Sequence, residues 1–175
     1  MQAAPYVLQG VGMLPLYHHK ILIGWAIVDL ADMPALRDSR WGVLAGYPSR
    51  ASTRTSRSSE GGDSEYLHRL LLGLTPGDGR VGDHKNRNKF DNRCGNLRIV
   101  PNQAANCQNI TPRKGTSSVF RGVGWHKEKK KWRAYAAVDR RQAWLGYFED
   151  ELDAARVAQA WRRHNMPYTV EDDVG

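Results

Sequence analysis

Cysteine is scarce in this chain: Cys94 and Cys107 are the only two among 175 residues. They form no Cys-x-x-Cys pair and cannot build a four-cysteine zinc site. Two free thiols in a reduced, cytoplasmic chain is the simplest expectation. Long apolar runs are also missing. None approaches the roughly 20 residues that a spanning helix needs, so no membrane partner is expected. The first twenty residues lack a basic start, an apolar core and a small-residue cleavage site, so no signal peptide is expected either. Acidic residues are outnumbered, 18 against 26 Lys and Arg, for a net charge of +8. With a pI near 9.7, the chain favours an anionic partner, most simply nucleic acid.

Asparagine, by contrast, is dense in one place. Between Gly82 and Asn109 stand seven of them: Asn86, Asn88, Asn92, Asn96, Asn102, Asn106 and Asn109. Asparagine forms helices poorly and is rarely a core residue, so such a cluster costs stability unless it serves something. The stretch opens on Asp83-His84, after a short extended piece from Arg80 to Gly82. Asp83 offers hard oxygens suited to a cation such as Mg²⁺. His84 titrates near neutrality and, when neutral, can take a proton from water. A turn-rich piece from Asn86 to Gly95 closes a loop. Leu97-Arg98-Ile99-Val100 reads as a return strand that Pro101 stops. Asn102 can cap a helix carrying Asn102, Asn106 and Asn109 on one face.

Asp83-His84, Asp91-Asn92, Asn96-Leu97-Arg98 and the asparagine-bearing helix together resemble the HNH endonuclease motif, the ββα-metal or His-Me finger, and most of all its phage and intron-encoded group. The resemblance implies a general base at His84, a metal ligand at Asp83, and loop-pinning hydrogen bonds from Asn96. It implies a second metal ligand at Asn106, with Asn102 and Asn109 as rivals. The helix asparagine stands one residue further from Asn96 than the family pattern has it, where Ala105 is found. The implied cofactor is Mg²⁺ or another divalent cation, with no small-molecule cofactor. The implied partner is double-stranded DNA.

Upstream, Ile21 to Val28 is β-branched and apolar enough for a strand. A short helix with Met33, Leu36 and Arg37 follows, then a strand from Trp41 to Tyr47. This makes a small α+β cap. His18 and His19, adjacent on a strand, point apart and read as surface residues. Ser49 to Gly62, with Arg50, Arg54 and Arg57, reads as a solvated loop or a DNA-contacting arm. Glu65 to Gly73 reads as a strand passing into a short helix. Its Leu-His-Arg-Leu element matches what commonly precedes the HNH core. A buried, hydrogen-bonded role is expected for His68, and Arg69 and Arg98 are candidate DNA contacts.

Past a linker at 112–118 the chemistry changes. Phe120 to Trp125, Lys131 to Val138 and Gln142 to Phe148 read as three short strands, and Glu151 to His164 as a helix capped by Asp150. Arg121-Gly122-Val123, Lys131-Trp132, Trp144-Leu145-Gly146 and Phe148-Glu149-Asp150 resemble the Apetala-type (ethylene-response-factor) DNA-binding domain. In that family the sheet lies in the major groove. The implied reading face carries Arg121, Trp125, His126, Trp132, Arg133, Tyr135, Gln142 and Trp144. Gly124, Ala137 and Gln142 stand where arginines often stand, so the plant target sequence is not implied. The basic excess from Arg113 to Arg141 supports phosphate binding independently.

The expected fold class is α+β: a cap and ββα-metal core over 1–111 (core about 64–110), then a three-stranded antiparallel sheet plus one helix over 119–168, with a tail at 169–175. The expected function is metal-dependent hydrolysis of DNA phosphodiesters. A non-catalytic DNA-binding regulator on the same scaffold and an RNA-directed protein are the other classes.

Overall fold

The computed structural model describes residues 3–51, 64–111, 115–138 and 141–171. The protein is α+β and falls into two compact units, Met1–Asn102 and Gln103–Gly175. The division comes before the asparagine-bearing helix rather than at residue 111.

In the first unit, β2 (Val11–His18) is the central strand of a six-stranded sheet. Along one edge it pairs antiparallel with β3 (Ile21–Val28). Along the other it meets β1 (Tyr6–Leu8) and then, in parallel, β4 (Trp41–Leu44). The sheet continues through β5 (Tyr47–Ala51) to β6 (Ser64–Tyr66). Between β3 and β4 lie a 3-10 turn at Leu30–Asp32 and the one-turn helix α1 (Met33–Leu36). Leu14, Leu16, Ala26, Val28, Leu36, Trp41 and Leu67 form the core. In β2 Leu14, Pro15, Leu16 and Tyr17 are all buried, so the strand is covered on both faces, with Leu14 and Leu16 turned to this core. Arg54 and Arg57, of the arm expected at Ser49–Gly62, lie outside the described residues.

Directly after β6 the chain turns into α2 (Leu67–Leu71). Then β7 (Val81–His84) and β8 (Leu97–Val100) form an antiparallel hairpin with Asp83 opposite Arg98 and His84 opposite Leu97. Gly82 on β7 has a steric reason. A Cβ there would stand 2.7 Å from Cδ2 of His68 and 2.9 Å from Cδ1 of Leu72. The bare backbone is what lets α2 lie against β7.

The loop between β7 and β8 is tied to the sheet. Ile27 N donates to Phe90 O at 2.8 Å, and Asn92 N donates to Ile27 O at 2.7 Å. The Asp29 carboxylate accepts from Cys94 N at 2.7 Å. A loop of asparagines and charges is thereby held as firmly as a strand end.

The second unit opens with α3 (Gln103–Asn106), a single turn. It then builds a three-stranded antiparallel sheet from β9 (Val123–His126), β10 (Lys131–Val138) and β11 (Arg141–Phe148), in the order β11-β10-β9. The helix α4 (Glu151–Asn165) packs Ala154, Ala155 and Ala158 against Val123 and Ala134. Alanine suits this contact because it brings helix and sheet close at no side-chain entropy. Asp150 caps α4, accepting from Leu152 N at 2.7 Å and Asp153 N at 3.2 Å. Gly122 carries φ +79, and a Cβ there would stand 2.3 Å from Tyr135 O, so the Arg-Gly-Val turn admits only glycine.

Pro112, Arg113 and Lys114 of the expected linker lie outside the described residues. Its remainder is fastened to the second unit. Ser117 Oγ accepts from Trp125 N at 2.7 Å, and Ser118 Oγ accepts from Phe120 N at 3.0 Å. No helix among the described residues is long and apolar enough to cross a membrane.

Candidate functional site

His84 ends β7, buried, with its Nε2 3.3 Å from Asn92 Oδ1. Asn92 is itself fully buried, and its Nδ2 donates to Lys89 O at 3.2 Å. That second bond fixes which end of the amide is oxygen. A carboxamide oxygen only accepts, so His84 Nε2 carries the proton and the lone pair of the neutral ring belongs to Nδ1. Burial holds this imidazole below its ordinary pKa. The hydrogen bond to Asn92 and the Asp83 and Asp91 carboxylates pull the other way. At neutral pH the ring is therefore a base.

Asp83, one residue earlier and also buried, faces across the hairpin. Its Oδ2 accepts from Arg98 Nε at 2.8 Å and Nη2 at 2.6 Å. The two side chains are cross-strand partners, the geometry in which opposite charges meet. Arg98, a candidate DNA contact, engages the carboxylate expected to hold a metal.

Asn96 bridges the loop as a clamp. Its Oδ1 accepts from Asn86 N at 2.9 Å and its Nδ2 donates to Asp91 O at 2.7 Å. Asp91 is buried and receives Arg93 Nε and Nη2 at 2.8 and 2.7 Å and Asn86 Nδ2 at 2.9 Å. The Arg93 guanidinium beside it holds its carboxyl below the usual range. The loop asparagines thus act through one another. Asn88 and Asn86 close local turns onto Phe90 N and Asn88 N.

Asp83 belongs to the first unit and Asn106 to the second. Asn106 ends α3 half-buried, while Ala105 before it is buried, as is Asn109. No three His, Cys, Asp or Glu side chains stand together as a metal cage among the described residues. Asp83 offers a carboxylate, a hard donor of the kind that suits Mg²⁺, which keeps several waters and needs only one or two protein carboxylates.

Around His84 lies an aromatic and imidazole cluster that the sequence alone did not single out. The ring of His68 lies 5.2 Å from that of His84, and Tyr47 lies 5.1 Å from His68 and 6.1 Å from His84. His68 is buried, but its Nδ1 has no hydrogen-bond partner, which differs from the satisfied histidine expected there. Burial, helped by His84, Arg69 and Lys89, pushes its pKa down to about 4. Arg69, another expected DNA contact, donates to Thr75 O at 2.8 Å and Arg80 O at 3.5 Å, so it holds the turn before β7.

In the second unit the expected reading face divides in two. Trp132 packs against the alanine core under α4. Trp125 is its register partner on β9 and shares that side, with ring centroids 5.2 Å apart. The Arg121 guanidinium donates to Gln108 O at 2.7 Å and Thr169 Oγ1 at 3.0 Å, so it binds the unit's ends together. The opposite side carries His126, Arg133, Tyr135, Gln142 and Trp144, and adds Tyr147. Trp144 is 54% exposed. Its ring meets Tyr147 edge-on at 4.6 Å, and His126 meets Tyr147 at 5.2 Å. Lys129 lies over Tyr147 at 5.1 Å and Arg133 over Tyr135 at 5.6 Å. Exposed rings interleaved with cations suit a polyanion with flat bases.

The chain matches no protein-family model, no curated protein and no solved structure.

Proposed function

We propose that the protein is a metal-dependent HNH-type DNA endonuclease whose second unit binds duplex DNA. The observation that carries this reading is the state of His84: neutral, buried, and fastened at Nε2 by Asn92 so that Nδ1 is the base. A water oxygen attacks the phosphorus, and its proton passes to His84 Nδ1. The P–O3′ bond breaks, and its electron pair leaves on the 3′ oxygen, which is then protonated from solvent. Asn96 and Asn92 keep the loop and the ring from shifting during the transfer. Asp83 would hold a divalent cation, which would supply charge neutralisation at the phosphate. The outer sheet face of the second unit supplies affinity, since nuclease cores of this kind read mostly backbone.

The test is nicking of supercoiled plasmid with Mg²⁺ or EDTA. The wild type should nick only with the cation. His84→Ala should lose roughly 10²–10⁴ in rate, as for a missing general base, with DNA affinity changed only a few-fold. Asp83→Ala should abolish cleavage. A His84→Ala protein that nicks at the wild-type rate would sink the mechanism. A DNA-binding regulator is the second reading, and the exposed ring-and-cation face around Trp144 favours it. Duplex binding without nicking under any divalent cation selects it.

A further inference from the structure

Several arginines of the first unit are paired with carboxylates. Arg50 is paired with Glu65 at 2.8 Å, Arg80 with Asp78 at 2.7 Å, Arg93 with Asp91 at 2.7 Å and Arg98 with Asp83 at 2.6 Å. Lys89 differs. It is half-buried, and its ammonium lies 3.9 Å from the centroid of the Tyr47 ring. Among the described residues no carboxylate pairs with it. An aromatic face attracts a cation without adding negative charge, so the full positive charge of Lys89 stays available to a ligand.

Lys89 also shares its supports with His84. The Asn92 side chain holds His84 Nε2 with its oxygen and the Lys89 carbonyl with its nitrogen. The Tyr47 ring that seats the ammonium lies 6.1 Å from the His84 ring. The charge of Lys89 reaches both His84 and His68, lowering the pKa of each. A base and an uncompensated cation therefore stand on one amide and one ring.

We infer that Lys89 is a catalytic residue of the reaction proposed for His84, its ammonium contacting a non-bridging oxygen of the phosphodiester being cut. The inference rests on the nuclease reading. As water adds to phosphorus, negative charge grows on the non-bridging oxygens. A cation fixed beforehand by a ring and a buried amide meets that charge with no reorganisation. Tyr47 is then the seat of the ammonium and acts through it.

Lys89→Met keeps the alkyl stem on Tyr47 and removes the charge. Single-turnover nicking by the full chain should fall about 10²-fold, the scale of losing one positioned donor. In EDTA, where no cleavage occurs, affinity for a short duplex should drop a few-fold. The slope of log K against log salt should become shallower by about 0.9, one phosphate contact. Lys89→Arg should recover most of the rate. Lys20→Met, an exposed lysine on the β2–β3 turn, should leave the rate unchanged. If Lys89→Met nicks at the wild-type rate, with or without a change of slope, Lys89 does not touch the cleaved phosphate, and the His84 reading stands. If Arg fails to restore what Met removes, the charge is not the cause and the inference falls. If the wild type nicks under no divalent cation, both readings fall together.

Discussion

His68 keeps a buried nitrogen without a hydrogen-bond partner, and such an atom costs roughly 1–3 kcal/mol. A phenylalanine ring fills nearly the same space without that cost. His68→Phe should therefore raise stability by about that amount, read from urea melts. The same residue sets a pH dependence. Its pKa in the fold is about 4, against an unfolded value near 6.5. Between those values the unfolded chain binds more protons, so stability rises with pH. The contribution is fully present above about 6.5 and is lost as pH falls toward about 4. His84, lowered by burial as well, acts in the same direction. Melts at pH 7.5 and 5 should differ in the wild type, and differ less in His68→Phe. An equal loss on acidification in both proteins would show that His68 takes up its proton inside the fold.

At the scale of an element, a side chain at the end of the β7–β8 loop clamps the loop onto itself. Asn96 joins Asn86 N and Asp91 O. Asn96→Ala leaves both groups without that partner, so the unit should lose roughly 2–3 kcal/mol. Amide hydrogen exchange should speed up in the loop more than in β2. Uniform exchange across the unit would mean that the clamp does not act locally. The C-terminal sheet offers a sharper contrast, because two tryptophans of one sheet face opposite ways. Trp132 packs in the core under α4, whereas Trp144 is mostly in solvent. Trp132→Ala should cost about 2–4 kcal/mol and blunt DNA binding only through unfolding. Trp144→Ala should leave the melting temperature nearly unchanged and weaken duplex binding by about 1–2 kcal/mol, as for a lost aromatic contact. Fluorescence titration and thermal melts separate the two. Equal effects on stability would contradict the division of the sheet.

For the whole molecule, the question is where the second unit begins. Its ends are tied to residues before the former linker. Arg121 donates to Gln108 O, and Tyr168 N donates to Gln108 Oε1 at 3.1 Å. A fragment from Gln103 to Gly175 should therefore fold alone. One from Gly115 to Gly175 loses these bonds, each worth about 1 kcal/mol, and takes one acceptor from the Arg121 guanidinium. It should melt several degrees lower for a unit of this size, or fail to fold. The longer fragment should shift duplex DNA without cutting it, because His84 and Asp83 stay behind. Identical melting of the two fragments would place the boundary at residue 115 after all.

Local signals were enough for much of the element list. Pro101 ends the strand at Val100 because it cannot continue a ladder, and Asp150 starts α4 because its carboxylate satisfies two helix N–H groups. The three C-terminal strands and the α+β class follow from short β-branched and aromatic runs set between turns. β1 and β2 carry no such contrast with their surroundings, and neither was singled out. Tertiary structure alone decided the partners. Alternation along a strand states that neighbours part, not which of them faces the helix. On β11 the register steps past Leu145, where Gly146 takes φ +123, so Trp144 and Tyr147 share one face while Leu145 and Phe148 share the other. The same holds for charge. Arg98, Arg69 and Arg121 are candidate DNA contacts by charge, and each also engages a group whose distance depends on the fold. Asn92 lies eight residues beyond His84, in a loop full of asparagines. Only the closing of that loop against β3 made it, and not a neighbour, the residue that sets the imidazole.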